Sequence, residues 1–255
     1  MSDHLVLTRA DGVLEVQLNR PEKKNALTRD MYHGMTAAFE ASNDDPTVRV
    51  IILTGTGDTF TSGNDVKDFL ARANGGGEGA GERFLPALSR MTKPMIGAVN
   101  GAAIGVGTTM LLHCDLIVAA AGASFRMPFT SLGLVPEAGS SMLVPQAIGM
   151  RRANAMLLLG EAIDAETALA WGLINQVVDA SALHDTAWSL ARRLAALPPE
   201  AVRQTKALIQ HGKPDLADRM HEELDVLGRR FTTPEAKESF SAFIEKRRPD
   251  FSKLY

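Results

Sequence analysis

The feature that most constrains the fold is a repeated unit, in which a short and almost wholly apolar strand runs directly into a glycine-rich or irregular turn. Three segments have this form: residues 48–53 (VRVIIL), 95–99 (MIGAV) and 115–120 (DLIVAA). Continuous apolar runs of this length are typical of strands that are buried on both faces. The unit repeats in structure and not in sequence. It predicts an α/β fold, built either as stacked ββα turns in a coil or as a doubly wound sheet.

The segments on either side of these units predict a hairpin, a helix and a helical tail. Residues 5–9 and 13–18 alternate around Asp11-Gly12, which is a hairpin signal. Residues 25–43 predict a helix with Thr28 as its N-cap. The tail helices are predicted over residues 165–171, 181–197, 200–210, 214–230 and 234–247. We therefore expect a core over residues 1–195 and a C-terminal helical region over residues 196–255, packed on the core or on a neighbouring subunit.

Composition and charge exclude several classes of function. Hydrophobic residues make up 45% and charged residues 22% of the 255 residues, which is ordinary for a globular protein. The net charge of −3 argues against a broad nucleic-acid-binding surface. No apolar run reaches about 18 residues, so no membrane span is predicted. The N-terminus lacks a signal-peptide pattern, the lone Cys114 fits a reducing compartment, and Tyr255 spoils the peroxisomal address SKL, so a cytoplasmic location is expected.

A glycine motif at residues 101–107 (GAAIGVG) follows a strand and opens a helix, a context that invites a dinucleotide-binding interpretation. From Gly105 the pattern reads GVGTTM, which lacks the third glycine or alanine of the fingerprint, and the chain has no phosphate loop. A Rossmann oxidoreductase is therefore not favoured. Two interpretations remain open. The glycines either leave backbone N–H groups free at a helix N-terminus or allow close helix–strand packing.

Two further segments each carry polar side chains that are open to interpretation. Residues 60–65 (FTSGND) form a turn that can expose backbone N–H groups, and the Asp65 side chain is best interpreted as a helix cap. Glu137 lies in the segment LVPEAGSS. It is either an exposed residue at the start of a helix or an acid enclosed by apolar neighbours, with a raised pKa that suits proton transfer.

The run His113-Cys114-Asp115 has the composition of a metal site or a nucleophile cluster. Adjacent residues point in different directions, and no second set of ligands has metal spacing. We therefore interpret this run as a buried helix end and predict no metal site. A G-x-S-x-G elbow is also absent from the sequence, so a hydrolase triad is not expected.

Several segments resemble one protein family and occur in that family's order along nearly the whole chain. They are residues 19–27 (NRPEKKNAL), 60–65 (FTSGND), 93–101 (KPMIGAVNG), 105–107 with Cys114-Asp115, 132–137 (LGLVPE), 168–173 (ALAWGL) and 243–247 (FIEKR). Each segment is weak alone, but the set resembles the crotonase (enoyl-CoA hydratase/isomerase) superfamily. The resemblance implies a crotonase-like spiral of ββα turns, a C-terminal helical trimerisation region, and a homotrimer or hexamer.

The resemblance also implies where the chemistry takes place. In this family the substrate's thioester oxygen sits between two backbone N–H groups, which map by position onto Asn64 and Val106. The two glutamates that hold water in the family's hydratases map onto Thr109 and Phe129, neither of which is a carboxylate. The segment around Glu137 instead resembles the Δ3,Δ2-enoyl-CoA isomerase branch, in which a single glutamate after a proline is the base.

The resemblance thus implies an isomerase that moves the double bond of a 3-enoyl-CoA to give a 2-enoyl-CoA. Glu137 would remove a proton from C2 and return it to C4, while the N–H groups of Asn64 and Val106 stabilise the enolate. No cofactor is expected, because coenzyme A enters as part of the substrate. The alternatives are a hydratase or another crotonase-type reaction and, from a different class, a non-catalytic acyl-CoA-binding protein.

The resemblance also implies a set of residues that contact the substrate. Lys23 and Lys24 would contact the phosphates of coenzyme A, joined by Lys246, unless these three are ordinary solvated lysines. The other residues expected to contact substrate are Ala26, Ser62, Gly63, Asp65, Val66, Gly105 and Pro136. Three apolar residues either line an acyl pocket or belong to the core: Phe69, Phe84 and Leu88. The glycine-rich residues 74–81 predict a mobile loop, which is either a surface insertion or a flap over that pocket.

Overall fold

The computed structural model of the protein describes residues 4–65, 79, 81–210 and 215–253. The predictions for Val66, Phe69 and most of the glycine-rich segment lie outside the described residues.

Ten strands of the described chain form two sheets. The strands are β1 (Leu5–Ala10), β2 (Val13–Leu18), β3 (Val50–Gly55), β4 (Thr59–Thr61), β5 (Met95–Val99), β6 (Ala102–Ile104), β7 (Leu116–Ala120), β8 (Ser124–Arg126), β9 (Ile163–Asp164) and β10 (Gln176–Val178). The larger sheet has the order β1-β2-β3-β5-β7-β10, and the smaller one has the order β4-β6-β8-β9. The β1–β2 and β8–β9 pairs are antiparallel, and the others are parallel.

Ten α-helices lie in the described part of the chain. They are α1 (Arg29–Asp44), α2 (Gly81–Ser89), α3 (Val106–Thr109), α4 (Ser140–Ile148), α5 (Met150–Leu158), α6 (Ala165–Trp171), α7 (Leu183–Ala195), α8 (Pro199–Gln210), α9 (Leu216–Arg230) and α10 (Pro234–Ile244). None of the helices among these residues is long and apolar enough to cross a membrane.

The chain alternates between the two sheets, and this alternation makes the spiral. β3 is followed by β4, β5 by β6 and β7 by β8, so three successive turns each place one strand in the large sheet and one in the small sheet. The expectation of stacked ββα turns is confirmed. The doubly wound alternative is wrong, because within each turn the chain passes from the large sheet to a separate small sheet.

The apolar strands arise because the large sheet is covered on both faces. All six residues of β3 are buried. Val50 and Ile52 face a cluster formed with α7, whereas Ile51 and Leu53 belong to the main core on the opposite face. A strand that alternates between two apolar environments needs apolar side chains at every position. The hairpin before it is also confirmed, with Asp11 and Gly12 at positive φ values of 53° and 76°.

The helix predicted over residues 25–43 begins later than expected. Helix α1 starts at Arg29, and the hydroxyl of Thr28 accepts a hydrogen bond from the N–H of Met31 as the predicted N-cap. Asn25 lies outside the helix with a φ of 52°, and its buried side-chain amide donates to the carbonyls of Thr56 and Thr59 at 2.9 and 2.7 Å. Those hydrogen bonds hold a turn that helical geometry would break.

The tail is helical as predicted, with small shifts in its bounds. The sequence did not predict α4 and α5, which fill residues 140–158. A partly buried ion pair fixes the tail to the spiral, since the ammonium of Lys206 on α8 lies 2.7 Å from the carboxylate of Asp115 and 2.9 Å from the carbonyl of Lys93. The division at residue 195 and the trimerisation role of the region beyond it stay predictions.

Candidate active site

Two turns of the spiral bring Asn64 and Val106 to neighbouring positions. Asn64 follows β4 and Val106 follows β6, and these two strands pair in parallel in the small sheet. The carboxyl ends of adjacent parallel strands lie at the same edge of a sheet, so the two turns face the same space. The structure therefore brings together the two predicted N–H donors.

Glycines allow these turns to approach each other. Gly63 has a φ of 91°, and a Cβ atom there would lie 2.9 Å from the carbonyl oxygen of Ile104. A Cβ atom on Gly107 would lie 2.5 Å from Cγ2 of Thr61, which is closer than real contacts allow. Close packing is thus one function of the glycine motif.

The same motif also leaves N–H groups without acceptors. Val106 is the first residue of α3, and the first N–H groups of a helix have no intrahelical partner. Neighbouring N–H groups are engaged, because Gly105 donates to Arg126 at 2.8 Å and Asp65 donates to Leu27 at 2.9 Å. In the described ranges no backbone acceptor faces the N–H of Asn64 or Val106. Both open interpretations of the glycine motif therefore apply.

The position of Asn64 is further fixed through its side chain. The Tyr32 hydroxyl, on the buried face of α1, donates to Oδ1 of Asn64 with an oxygen–oxygen distance of 2.5 Å. Tyr32 cannot be identified from the sequence, because nothing in its local pattern distinguishes it from other core residues of an amphipathic helix.

Glu137 lies in a loop between a 3-10 turn (Thr130–Leu132) and α4, and its side chain is only 6% exposed. The Thr109 hydroxyl donates to Oε1 of Glu137. The hydroxyl of Ser140 donates to the backbone carbonyl of Glu137 at 2.6 Å. The interpretation of Glu137 as an exposed residue at a helix start is therefore wrong, and its carboxyl group is enclosed.

The environment of Glu137 changes its proton affinity. The pKa of this carboxyl group is raised from 4.5 to about 7, chiefly by burial; the hydrogen bond from Thr109 lowers it, and the negative charge of Glu223 adds a smaller increase. A carboxyl group with a pKa close to neutral can both accept and return a proton at physiological pH. The predicted raised pKa is thus found at this residue.

The two positions that hold glutamates in hydratases of the family are occupied by groups that cannot act as a second carboxylate. Thr109 is fully buried on α3, on the same short helix whose first N–H belongs to Val106. Phe129 is 7% exposed and belongs to the core. Helix α3 therefore supplies both a backbone donor and the hydroxyl partner of Glu137.

The turn that carries Lys23 and Lys24 lies beside the Asn64 turn. Both lysines are exposed, and the carbonyl oxygen of Lys24 accepts a hydrogen bond from the N–H of Ser62 at 2.9 Å. Their ammonium groups are therefore available to an anionic ligand that approaches this side of the site.

A partly buried ion pair ties the same two turns together. Arg20 donates through Nη1 to the Asp65 carboxylate at 2.6 Å and to the Ala26 carbonyl at 3.1 Å. The Asp65 and Arg20 side chains are both 15% exposed. The helix predicted to follow Asp65 lies outside the described residues, so its expected capping role stays a prediction.

The remaining residues predicted to contact the substrate or to line an acyl pocket lie in different environments. Pro136 is partly buried beside Glu137. Phe84 and Leu88 on α2 are buried in the main core, where the Phe84 ring packs edge-on against Tyr32. Lys246 is exposed just beyond α10, and no described contact links it to the turn of Lys23 and Lys24.

The run His113-Cys114-Asp115 lies at a helix end as predicted, but it is not buried as a whole: His113 and Cys114 are partly exposed, and Asp115 is exposed. Burial raises the pKa of the Cys114 thiol to about 12, so it is not a nucleophile at neutral pH. The imidazole of His113 contacts the Ala138 carbonyl at 2.9 Å, and Asp115 accepts from Lys206. Over the residues that the structure describes, no cluster of three or more potential metal ligands occurs.

Comparison with known proteins agrees with this geometry. The sequence profile of the family described as Enoyl-CoA hydratase/isomerase matches residues 8–253. The 1,2-epoxyphenylacetyl-CoA isomerase of Escherichia coli (strain K12) is 36% identical over 249 residues, which cover 94% of this chain and 95% of that protein. The crotonyl-CoA hydratase of Syntrophomonas wolfei is 34% identical and covers 98% of both chains.

Among solved structures, an enoyl-CoA hydratase/isomerase from Pseudoalteromonas atlantica T6c superposes with a TM-score of 0.93. It is 43% identical, and the match covers 98% of this chain and 100% of that one. Fold, turn geometry and sequence similarity agree, and the chain belongs to the enoyl-CoA hydratase/isomerase family of the crotonase superfamily.

Proposed function

We propose that this chain is an enoyl-CoA isomerase that converts a 3-enoyl-CoA into a 2-enoyl-CoA. The observation that carries the proposal is the enclosed carboxyl group of Glu137, whose side-chain partner is the hydroxyl of Thr109 and not a second carboxylate. A single carboxyl group is sufficient for an isomerisation, because a proton is moved and no water is added.

The first step is removal of a proton from C2 of the substrate. The Glu137 carboxylate takes this proton, and the electron pair of the C2–H bond enters the conjugated system of the thioester to give a dienolate. A positioned general base of this kind contributes about 10²–10⁴ to the rate. The raised pKa of Glu137, about 7, leaves a useful fraction of the group ionised at neutral pH.

Negative charge then develops on the thioester oxygen. The N–H groups of Asn64 and Val106 are placed to donate to it, since they face the same edge of the small sheet and lack backbone acceptors among the described residues. Each preorganised donor of this kind is worth about 10²–10³ in rate.

The second step completes the shift of the double bond. Protonated Glu137 returns its proton to C4, the dienolate collapses, and the C2–C3 double bond forms in conjugation with the thioester. The Thr109 hydroxyl holds the carboxyl group in place during both transfers. No redox change and no net loss or gain of atoms occurs.

Hydration of a 2-enoyl-CoA is the second candidate, because the similarity to the crotonyl-CoA hydratase is as extensive as that to the isomerase. Hydration needs a group that activates water and a group that protonates C2. With Thr109 and Phe129 at the two positions concerned, Glu137 would have to perform both functions. The arrangement therefore favours the proton shift.

Self-association is part of the proposal. Helices α8 and α10 expose large apolar side chains near their C-terminal ends, namely Leu208 and Ile209 at 74% and 71% and Phe243 and Ile244 at 60% and 54%. Apolar residues this exposed are typical of surfaces that bind a partner. We expect a homotrimer or hexamer, which multi-angle light scattering would detect.

The decisive experiment is parallel turnover of a 3-enoyl-CoA and a 2-enoyl-CoA, followed by the absorbance of the conjugated enoyl thioester. We expect a rapid gain of absorbance with the first substrate and little loss with the second. Rapid loss with the second substrate would replace the proposal by the hydratase. Tight binding of both thioesters without conversion would indicate a non-catalytic acyl-CoA-binding protein.

A further inference from the structure

A second buried carboxylate contacts the loop that carries Glu137. Glu223 on α9 is 6% exposed, and its two oxygens accept hydrogen bonds from the N–H groups of Gly139 at 2.6 Å and Ser141 at 2.9 Å. These N–H groups lie at the start of α4, where the helix dipole favours negative charge. The local sequence shows no capping residue there, since Gly139 precedes the helix without a side chain.

The C-terminal region also holds the other end of the same loop. Arg230 on α9 donates to the Gly133 carbonyl at 2.8 Å and forms an ion pair with Glu235. Gly133 packs so closely that a Cβ atom there would lie 2.7 Å from the N–H nitrogen of Ala236. Residues 133–141 are thus fixed at both ends by α9 and α10.

Within the loop the backbone is strained at the residue next to Glu137. Ala138 has a positive φ of 63°, a conformation that a residue with a Cβ atom rarely adopts. Contacts from the surrounding structure must hold such a conformation. Glu223 supplies two of them immediately after Ala138, and His113 supplies a third through the Ala138 carbonyl.

We propose that Glu223 is a positioning residue for the isomerisation, which holds the Glu137 loop from the C-terminal helical region through the N–H groups of Gly139 and Ser141. This inference rests on the proposed function of Glu137. It makes the tail part of the site, because the placement of the base depends on a side chain 86 positions further along the chain.

The charge of Glu223 has a second effect on the base. Its negative charge raises the pKa of Glu137, although burial is the larger cause. Burial also raises the pKa of Glu223 itself, against the hydrogen bonds from Ser141 and Gly139 and the charge of Arg219 one turn earlier on α9. The titratable groups of the described chain with a recorded interaction at this junction include Glu137, Arg219 and His113.

The test is Glu223→Gln, which keeps the shape of the side chain but removes its charge and replaces one acceptor by an amide donor. We expect kcat for the isomerisation to fall by about ten- to a hundredfold, because a small displacement of a catalytic group is enough for such a loss. We expect KM to change little and the acid limb of the kcat/KM profile to move to lower pH. The control is Asp225→Asn, which removes one charge from an exposed position of the same helix.

Two readouts do not depend on turnover. Amide hydrogen exchange of residues 138–142 should become faster in Glu223→Gln and stay unchanged in Asp225→Asn. The carboxyl band of Glu137, assigned in infrared difference spectra against Glu137→Gln, should titrate at lower pH than about 7 in Glu223→Gln. Unchanged exchange together with an unchanged titration would overturn the inference, whatever reaction the enzyme catalyses.

A second variant covers the case in which Glu223→Gln does not fold. Glu223→Asp keeps the charge but is one methylene shorter, so it cannot reach both N–H groups. It should show faster exchange of residues 138–142 and a lower kcat, with Glu137 titrating near its wild-type midpoint. Wild-type exchange in this variant would contradict the inference. Failure of the wild type to isomerise 3-enoyl-CoA would instead contradict the proposed function.

Discussion

The two halves of the site are built by different means. The donor side, with the N–H groups of Asn64 and Val106, consists of backbone at the ends of two paired strands in the spiral. The base side consists of one side chain, Glu137, on a loop fixed by helices from the far end of the chain. The donor groups are backbone, although the Asn64 side chain helps to fix one of them through Tyr32, whereas the base side depends on the identity of one residue.

The difference between the donor side and the base side indicates how related chains can share a fold and differ in reaction. Several reactions of acyl thioesters develop negative charge on the thioester oxygen, and backbone N–H groups that the fold itself positions can stabilise that charge. The reaction that follows depends on where carboxyl groups are placed. In the proposed function, the spiral supplies the donors, and the residues at positions 109, 129 and 137 would select the reaction.

The largest effect is expected from Glu137→Gln, which removes the base and leaves the donor side intact. We predict a loss of about 10³ or more in kcat for 3-enoyl-CoA isomerisation, with little change in substrate affinity. Stopped-flow absorbance and equilibrium binding of a saturated acyl-CoA would measure the two quantities. Near-wild-type turnover would remove Glu137 from the mechanism.

The same variant should be more stable than the wild type at alkaline pH. The pKa of Glu137 is raised from 4.5 to about 7 in the folded state, so the wild type loses stability as pH rises through this window. Above about pH 7 the loss is on the order of 3 kcal/mol, and glutamine avoids it. Urea unfolding at pH 8 and pH 5 would measure it, and an equal stability difference at both would contradict the buried ionisable group.

The donor side can be broken without touching any polar side chain. Gly107→Ala places a Cβ atom against Cγ2 of Thr61, so the start of α3 must move away from the β4 turn. We predict a loss of about 10² in kcat, equivalent to misplacing one donor. Thr61→Ser removes that methyl group and should restore much of the activity in the double variant. The control is Gly122→Ala, whose Cβ atom would meet nothing within 4 Å.

The pH dependence of kcat/KM tests the base side alone, because the Glu137 carboxyl group titrates and the backbone N–H donors do not. Glu137 must be ionised to accept a proton, so kcat/KM should rise with pH through a midpoint of about 7 and then become constant. At one pH unit below the midpoint the rate should be about tenfold lower than the plateau. A profile without a limb between pH 5 and pH 8 would show that the base is another group.

The smallest effect is expected from a change at the contact between the Asn64 turn and the turn that carries Lys23 and Lys24. Asp65→Asn weakens the ion pair with Arg20, which joins the two turns, and we predict an increase in KM of about fivefold with kcat nearly unchanged. The control is Glu22→Gln, since Glu22 is exposed and its nearest oxygen lies 3.9 Å from Nε of Arg20. Equal effects of both substitutions would show that the loss of a negative charge near Arg20 raises KM, and not the loss of the Arg20–Asp65 ion-pair geometry.

The sequence predicted what depends on local patterns. Buried strands such as β3 and β5 were identified because their apolar runs reflect two covered faces, and Thr28 was identified because an N-cap is a property of one residue. The positions of Asn64, Val106 and Glu137 came from resemblance to a family. The structure places Asn64 and Val106 after paired strands and Glu137 against Thr109, on the helix that begins at Val106.

What the sequence did not show depends on contacts between distant segments. Glu223 lies 84 and 82 positions from the N–H groups that it accepts from, and Tyr32 lies 32 positions from Asn64. Asn25 reads as the start of a helix until its buried amide is seen to bind the turn at Thr56. A polar residue on an amphipathic helix has the same local pattern whether it faces solvent or a distant loop.

The attachment of the Glu137 loop to α9 has a consequence for synthesis of the protein. The strands that carry Asn64 and Val106 pair with neighbours about one spiral turn away, so this part of the sheet can stack as it leaves the ribosome. On the base side, the Glu137 loop gains its contact with Glu223 only when residue 223 has emerged from the ribosome. A nascent chain that is cleaved before this point would lack the two hydrogen bonds by which Glu223 holds the Glu137 loop.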